Sequence, residues 1–222
     1  MATALLFDLD GTLADTDALH LVAFQQVFAR HGVGLTRADY IDGVMGNSNP
    51  RISAQFLPHL DEDERAAALE AKEALFRDAL GALEPVAGVV ALLDFAQAHD
   101  VPCAIVTNAP RANAVVMLEA LGLTGRLPLR IIGHELARAK PDPLPYLTGL
   151  ELTGADAAHS VAFEDSLSGL RAAVGAGLAV VGLTTTLDQA ALLGAGATIA
   201  VADFTDRRIY ELLARKMACS KA

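Results

Sequence analysis

Asp8 and Asp10 stand two residues apart at the end of an apolar run, Ala4-Leu5-Leu6-Phe7, and are followed by Gly11 and Thr12. Short apolar runs that stop at polar residues read as buried strands of a parallel sheet. In such folds ligands collect beyond the carboxyl ends of the strands. Alternate residues of an extended segment point to one side, so the two carboxylates share a neighbourhood. They repel unless a cation or a shared proton intervenes. Buried carboxylates without partners are too costly to serve packing alone, and the pair therefore points to chemistry.

Three other segments bring polar residues to comparable places. Val101 to Thr107 is an apolar run that delivers Thr107 and Asn108, and Ser160 to Phe163 runs into Glu164 and Asp165. Lys140 lies in Ala137-Arg138-Ala139-Lys140-Pro141-Asp142, just before a helix. An oxygen-only cluster of Asp8, Asp165 and Glu164 suits Mg²⁺ better than zinc. Asp8 can attack a phosphorus atom in line and carry the phosphoryl group, splitting one hard displacement into two. Lys140 would neutralise Asp8 and a phosphate oxygen, while Thr107 and backbone N–H groups near Asn108 hold the others. Each residue also has a plainer use. Thr107 can cap the turn after its strand, Lys140 can be a solvated surface lysine, and Asp165 can complement a helix dipole. Glu164 can act on a metal directly or through water. Their joint occurrence at successive strand ends favours a site.

The elements that must position these groups follow from periodicity. Ala18 to Gly32 reads as an amphipathic helix, and the passage from residue 43 to 50 as a loop. Asp61 with Glu64 has the form of a capping box, and Arg65 to Leu80 reads as a long helix. No central strand is expected between residues 18 and 80. From Gly88 helices and strands alternate: a helix over 89–99, a strand over 101–107, a helix opened by Pro110 and closed by Gly122, and a strand over 129–133. A helix started by Asp142 and Pro143, a strand over 160–163, a helix over 166–176 and strands over 178–183 and 198–201 complete the pattern. The tail from Met217 is expected to fray. Alternation of this kind predicts an α/β fold, a doubly wound parallel-sheet core of residues 1–17 and 82–222, with a small all-helical cap of residues 18–81 inserted after the first strand.

Composition narrows the partners. The chain has 222 residues, 53% hydrophobic and 20% charged, which excludes a disordered polymer. Its 17 Lys and Arg against 27 Asp and Glu give a formal charge of −10, a field that disfavours nucleic acid and anionic membranes. A phosphate substrate is still allowed, because a local metal and lysine outweigh the global field. Two cysteines, Cys103 and Cys219, lack metal-ligand spacing, and no run reaches transmembrane length. A cytoplasmic protein with a small-molecule partner is expected; the oligomeric state is open, with a monomer plausible.

Phe7-Asp8-Leu9-Asp10-Gly11-Thr12-Leu13 resembles the first motif of the haloacid dehalogenase-like hydrolases, in their phosphatase and phosphomutase branch. Thr107-Asn108, Lys140 and Glu164-Asp165 match the family's remaining motifs in type and order, so the resemblance spans nearly all of the chain. It implies a Rossmann-like core with a helical cap, and a Mg²⁺-dependent phosphatase acting on a small phosphorylated metabolite through an aspartyl phosphate at Asp8. It adds the Asp10 backbone carbonyl as a metal ligand, which leaves the Asp10 side chain to protonate the leaving oxygen and later activate water. The alternative within the family is a β-phosphoglucomutase-like sugar phosphomutase, whose cap excludes water from the phosphoenzyme. Haloacid dehalogenation needs neither Asp10 nor the Glu164-Asp165 pair. A receiver-type signalling domain lacks the large insertion and presents its acids on separate strands. Phosphoglycolate, sugar phosphates and nucleoside monophosphates all remain open as substrates.

Within the cap, His20 is placed to reach the crevice from the first helix, and Asn47, Ser48, Asn49 and Arg51 lie in a loop able to close on substrate. Arg51 resembles the cap arginine of β-phosphoglucomutase-like relatives, but the Asn-Ser-Asn-Pro-Arg spelling departs from their Gly-x-x-Arg form, which favours hydrolysis over phosphoryl isomerisation. Lys72 reads as a solvated partner of nearby acids, and Arg111 as a surface residue of a first helical turn.

Overall fold

The computed structural model describes residues 2–45, 49–81 and 83–219. The chain divides into two compact units, Met1–Asp15 with Leu83–Ala222, and Thr16–Ala82. In chain order the elements begin with β1 (Leu5–Phe7), α1 (Asp17–Arg30), α2 (Arg37–Gly43), α3 (Asn49–Phe56), α4 (Glu62–Ala79), α5 (Val89–Ala98) and β2 (Cys103–Thr107). They continue with α6 (Arg111–Ala120), β3 (Leu129–Ile132), α7 (Leu144–Thr153), β4 (Val161–Glu164), α8 (Leu167–Gly175), β5 (Ala179–Leu183), α9 (Gln189–Gly194), β6 (Ile199–Val201) and α10 (Arg207–Cys219).

All six strands of the first unit are parallel, in the order β3-β2-β1-β4-β5-β6. Building outward from β1 in both directions is the doubly wound arrangement, and its switch point lies between β1 and β4. Register aligns Phe7 with Ile105 on one side and Phe163 on the other. The central strands are buried and mostly apolar, as helices on both sides of a parallel sheet require, and their polar residues Thr107 and Glu164 stand at the carboxyl ends of β2 and β4. Leu6, Ala104, Val106 and Ala162 pack against Tyr146 and Leu150 of α7 and Leu170 and Ala173 of α8. On the opposite face the Phe7 and Phe163 rings stack with centroids 4.7 Å apart, and Phe204 lies 5.4 Å from Phe163. Phe95 of α5 meets Tyr210 of α10 edge to face at 5.4 Å.

The second unit is wholly helical among the described residues. Phe24, Val27 and Phe28 of α1 join Tyr40, Ile52, Leu57 and Ala68 in its core. Capping boxes open α2 and α4: Thr36 with Asp39, and Asp61 with Glu64, each exchange side chain for backbone in both directions.

Several elements differ from the sequence reading. The helix expected from Arg65 begins at Glu62, because its cap is Asp61 itself. Of the residues expected in a loop over 43–50, Gly43 still belongs to α2, and Asn49 and Pro50 already form the first turn of α3, where a proline's missing N–H costs nothing. β2 starts at Cys103 rather than Val101. Pro143 rather than Asp142 precedes the first residue of α7, while the Asp142 carboxylate accepts from Leu144 N–H at 2.9 Å. The tail expected to fray from Met217 is helical through Cys219. No helix among the described residues is long and apolar enough to cross a membrane.

Candidate active site

β1 ends at Phe7, and Asp8 N–H still donates to Phe163 O at 3.0 Å, which carries the ladder one residue further. Asp8 therefore leaves the sheet beside the end of β4, where Glu164 is the last strand residue and Asp165 follows. Ligand oxygens of Asp8, Glu164 and Asp165 all lie within 4.8 Å of one another, and all three residues are buried. Lys140 reaches the same point from the segment before α7. Its Nζ donates to Asp8 Oδ1 at 2.6 Å and to Glu164 Oε1 at 2.5 Å, with the lysine side chain only 3% exposed. The plainer reading of Lys140 as a solvated surface lysine is thereby overturned.

The electrostatics follow from burial. Desolvation pushes the Asp8 carboxyl well above the ordinary carboxylate range; Lys140 opposes this, and Glu164 and Asp165 reinforce it. For Lys140, burial works against the charge, but Asp8 and Glu164 more than offset it and hold the ammonium above its usual range. Three carboxylates and one ammonium leave two net negative charges when ionised, the complement of a divalent cation. The donors are all hard oxygens at a point where strands end, and they fit such an ion.

Glu164 is fully buried and heavily engaged. Oε1 also accepts from the Tyr146 hydroxyl at 2.6 Å, and Oε2 accepts from Ser166 Oγ at 3.2 Å. Its carboxylate lies so close to Gly169, in the first turn of α8, that a Cβ there would overlap it. Glu164 thus anchors the lysine as firmly as it completes the acid cluster. Asp165 accepts from Thr12 Oγ1 at 3.0 Å and from the Thr186 hydroxyl. Gly11, with φ of 72°, passes so near Asp165 that any side chain would collide.

Thr107 closes β2 at 1% exposure, and its Oγ1 accepts from Ala109 N–H at 2.9 Å. That is the turn-capping use, and it leaves the hydroxyl proton available to a ligand oxygen. Asn108 does something the sequence did not suggest. Its side chain clamps the Lys140 backbone, Nδ2 donating to Lys140 O at 3.0 Å and Oδ1 accepting from Lys140 N–H at 3.2 Å. Asp10 sits half-buried in a bridge to Ala14.

Of the remaining expected residues, all but Arg111 belong to the helical unit. His20 stacks on Phe76, centroids 4.0 Å apart, and its Nδ1 accepts from Lys72 Nζ at 2.9 Å. Lys72 is not solvated: it is 3% exposed, donates to both Glu73 oxygens at 3.1 Å, and sits 4.5 Å from the Phe24 ring centroid. Asn49 Nδ2 donates to Glu73 Oε1 at 2.8 Å. Arg51 is exposed on α3. Asn47 and Ser48 lie outside the described residues. Arg111 is exposed at the start of α6 and pairs with Glu135 through two bonds of 2.7 and 2.6 Å.

Tyr146, Ser166 and Thr186 escaped the sequence reading. Only Thr186 left a usable signal, since Thr184-Thr185-Thr186 follows the run of β5 and the strand-end rule applies there as it does at Asp8.

A doubly wound sheet whose switch point gathers three carboxylates and a lysine defines an α/β enzyme working with hard-oxygen chemistry. The chain belongs to the haloacid dehalogenase-like hydrolases, whose family model matches residues 5–183. It is 35% identical over 211 residues to the validoxylamine A 7′-phosphate phosphatase of Streptomyces hygroscopicus subsp. limoneus, covering 91% of this chain and 94% of that one. It is 32% identical over 204 residues to a phosphorylated carbohydrates phosphatase of Thermotoga maritima, covering 89% and 93%. A crystal structure of a CbbY mutant from Rhodobacter sphaeroides with xylulose-(1,5)bisphosphate superposes with a TM-score of 0.82 at 28% identity, over 93% of this chain and 96% of that one.

Proposed function

We propose that this enzyme is a Mg²⁺-dependent phosphatase that hydrolyses a small organic phosphomonoester through an aspartyl phosphate on Asp8. The observation that carries the reading is the Asp8–Lys140–Glu164–Asp165 cluster, with its two net negative charges at the switch point of the sheet. Phosphatase relatives matched over nine-tenths of their length support hydrolysis.

Lys140 occupies Asp8 Oδ1, which leaves Oδ2 as the attacking atom. In-line attack forms the Asp8–phosphorus bond as the substrate's ester bond breaks, and Asp10 gives its proton to the departing oxygen. Asp10, now a carboxylate, takes a proton from water, which attacks phosphorus and releases Asp8 with inorganic phosphate. Lys140 meets the charge of the phosphoryl oxygens, and the Thr107 hydroxyl donates to one of them. Mg²⁺ held by Asp8, Asp165, Glu164 and the Asp10 carbonyl would supply charge neutralisation between the nucleophile and the phosphoryl group.

Phosphate release from a panel of small phosphomonoesters, with and without Mg²⁺ and with Asp8→Asn as blank, tests the reading. Mg²⁺-dependent release absent from the blank is expected. Isomerised sugar phosphate with negligible free phosphate would replace it with the phosphomutase.

A further inference from the structure

The turn after β5 is absorbed by none of the motifs, yet it touches two of them. Thr184 N–H donates to Val201 O at 2.9 Å, which ties the turn to the end of β6. Asp188 caps α9 three residues before Ala191, accepting its N–H at 2.8 Å, and so fixes the other side. Between these anchors the Thr185 hydroxyl donates to the Gly11 carbonyl, and the Thr186 hydroxyl donates to Asp165 Oδ2. Thr12 holds Oδ1 of the same carboxylate at 3.0 Å. A Cβ built on Gly11 would meet both the Asp165 carboxylate and, at 3.0 Å, Thr186 Oγ1. Three segments far apart in sequence therefore interlock around one carboxylate.

We propose that Thr186 is a positioning residue for the metal centre, aiming Asp165 at the cation while Thr185 fixes the Gly11–Thr12 peptide beside it. A carboxylate held by hydroxyl donors at both oxygens loses the rotational freedom that binding a cation would otherwise have to remove. The inference rests on the metal-assisted reading above, and concerns which protein groups set the affinity for the ion.

Mn²⁺ serves as the probe, its binding measured by electron paramagnetic resonance on the full-length protein without substrate. Thr186→Val keeps the shape of the side chain and removes the donor; Thr186→Ser keeps the donor. Thr186→Val is expected to weaken Mn²⁺ binding about 10- to 100-fold, the usual cost of losing a group that orients a ligand. Thr186→Ser is expected to bind as the parent does. In turnover, Thr186→Val should need correspondingly more Mg²⁺ for half-maximal rate while reaching nearly the parental kcat at saturation, a split that general loss of structure would not produce. Thr186→Ala is read the same way should the valine variant not fold. Parental Mn²⁺ affinity in Thr186→Val or Thr186→Ala, with Asp165→Asn abolishing binding, would overturn the inference alone. Absence of Mn²⁺ binding by the parent protein would overturn the metal-assisted reading itself.

Discussion

Lys140 is the residue on which the others depend. It bridges Asp8 and Glu164 at 2.6 and 2.5 Å, and its own backbone is gripped by Asn108 on both sides. Truncation should expose two buried carboxylates to each other and, on the proposed mechanism, remove the charge that would meet the phosphoryl oxygens. Lys140→Met is expected to lower kcat about 10²- to 10³-fold, the range for losing one electrostatic donor. Arginine should not rescue it, because a planar fork cannot replace a point charge in this space. Asp10 predicts a different pattern. Asp10→Asn should slow hydrolysis of an alkyl phosphate by about 10²- to 10⁴-fold, while an aryl phosphate, whose leaving group needs no proton, should still give a burst of one phenolate per enzyme in rapid-mixing assays. The acids stood out in the sequence because they close apolar strand runs, and Lys140 because it falls just before a helix in the same alternating pattern. The Asn108 clamp and the Tyr146 bond did not, since an amide gripping a backbone 32 residues away, or a phenol 18 residues from its acceptor, leaves no local pattern.

At the scale of elements, the sequence was readable where periodicity was long or a cap was spelled out. The Asp61–Glu64 box is present as its residue types suggested, and it carries α4 from Glu62. Asp61→Ala should cost about 1 kcal/mol by chemical denaturation, typical of a lost N-cap, with Mg²⁺ affinity unchanged. Shorter helices were hidden. α2 has only seven residues and α9 six, too few for a periodic stripe to emerge, and α3 opens on an Asn-Pro pair that reads equally well as a turn. α10 carried the spacing Ile209, Leu212, Leu213 that marks an apolar face, and the charged residues around it masked this. Strand ends shifted by one or two residues because β-pairing, not composition, decides where a ladder stops: register keeps Glu164 opposite Gly182 in β4–β5 although its side chain is an acid.

For the whole molecule, three buried carboxylates around one lysine carry an electrostatic conflict. The Asp8 carboxyl stands above its unfolded-state value, chiefly through burial. In the acid-to-neutral range the folded chain therefore binds more protons than the unfolded one, and its stability falls as pH climbs from the unfolded pKa through the raised one. On the proposed reading a divalent cation would remove the conflict where the proton is lost. Thermal melts should show stabilisation by Mg²⁺ that is larger at pH 8 than at pH 5. At 100 times Kd the gain is about 2.7 kcal/mol, which at about 2–4 °C per kcal/mol for a chain of this size amounts to about 5–10 °C. Equal shifts at both pH values would show that the Asp8 cluster is not where the ion binds. Against the formal charge of −10 on the chain, a cation held there would supply the local positive charge that the proposed phosphate substrate needs.

The measurement that reaches the central claim most directly is a search for the phosphoryl group on Asp8. Asp10→Asn would be mixed with an aryl phosphate and Mg²⁺, quenched in acid within the burst and mapped by peptide mass spectrometry. One phosphoryl group on the peptide containing Asp8, absent when Mg²⁺ is withheld, is the predicted result. Phenolate released in the burst with Asp8 unmodified would contradict the account and assign the displacement to water.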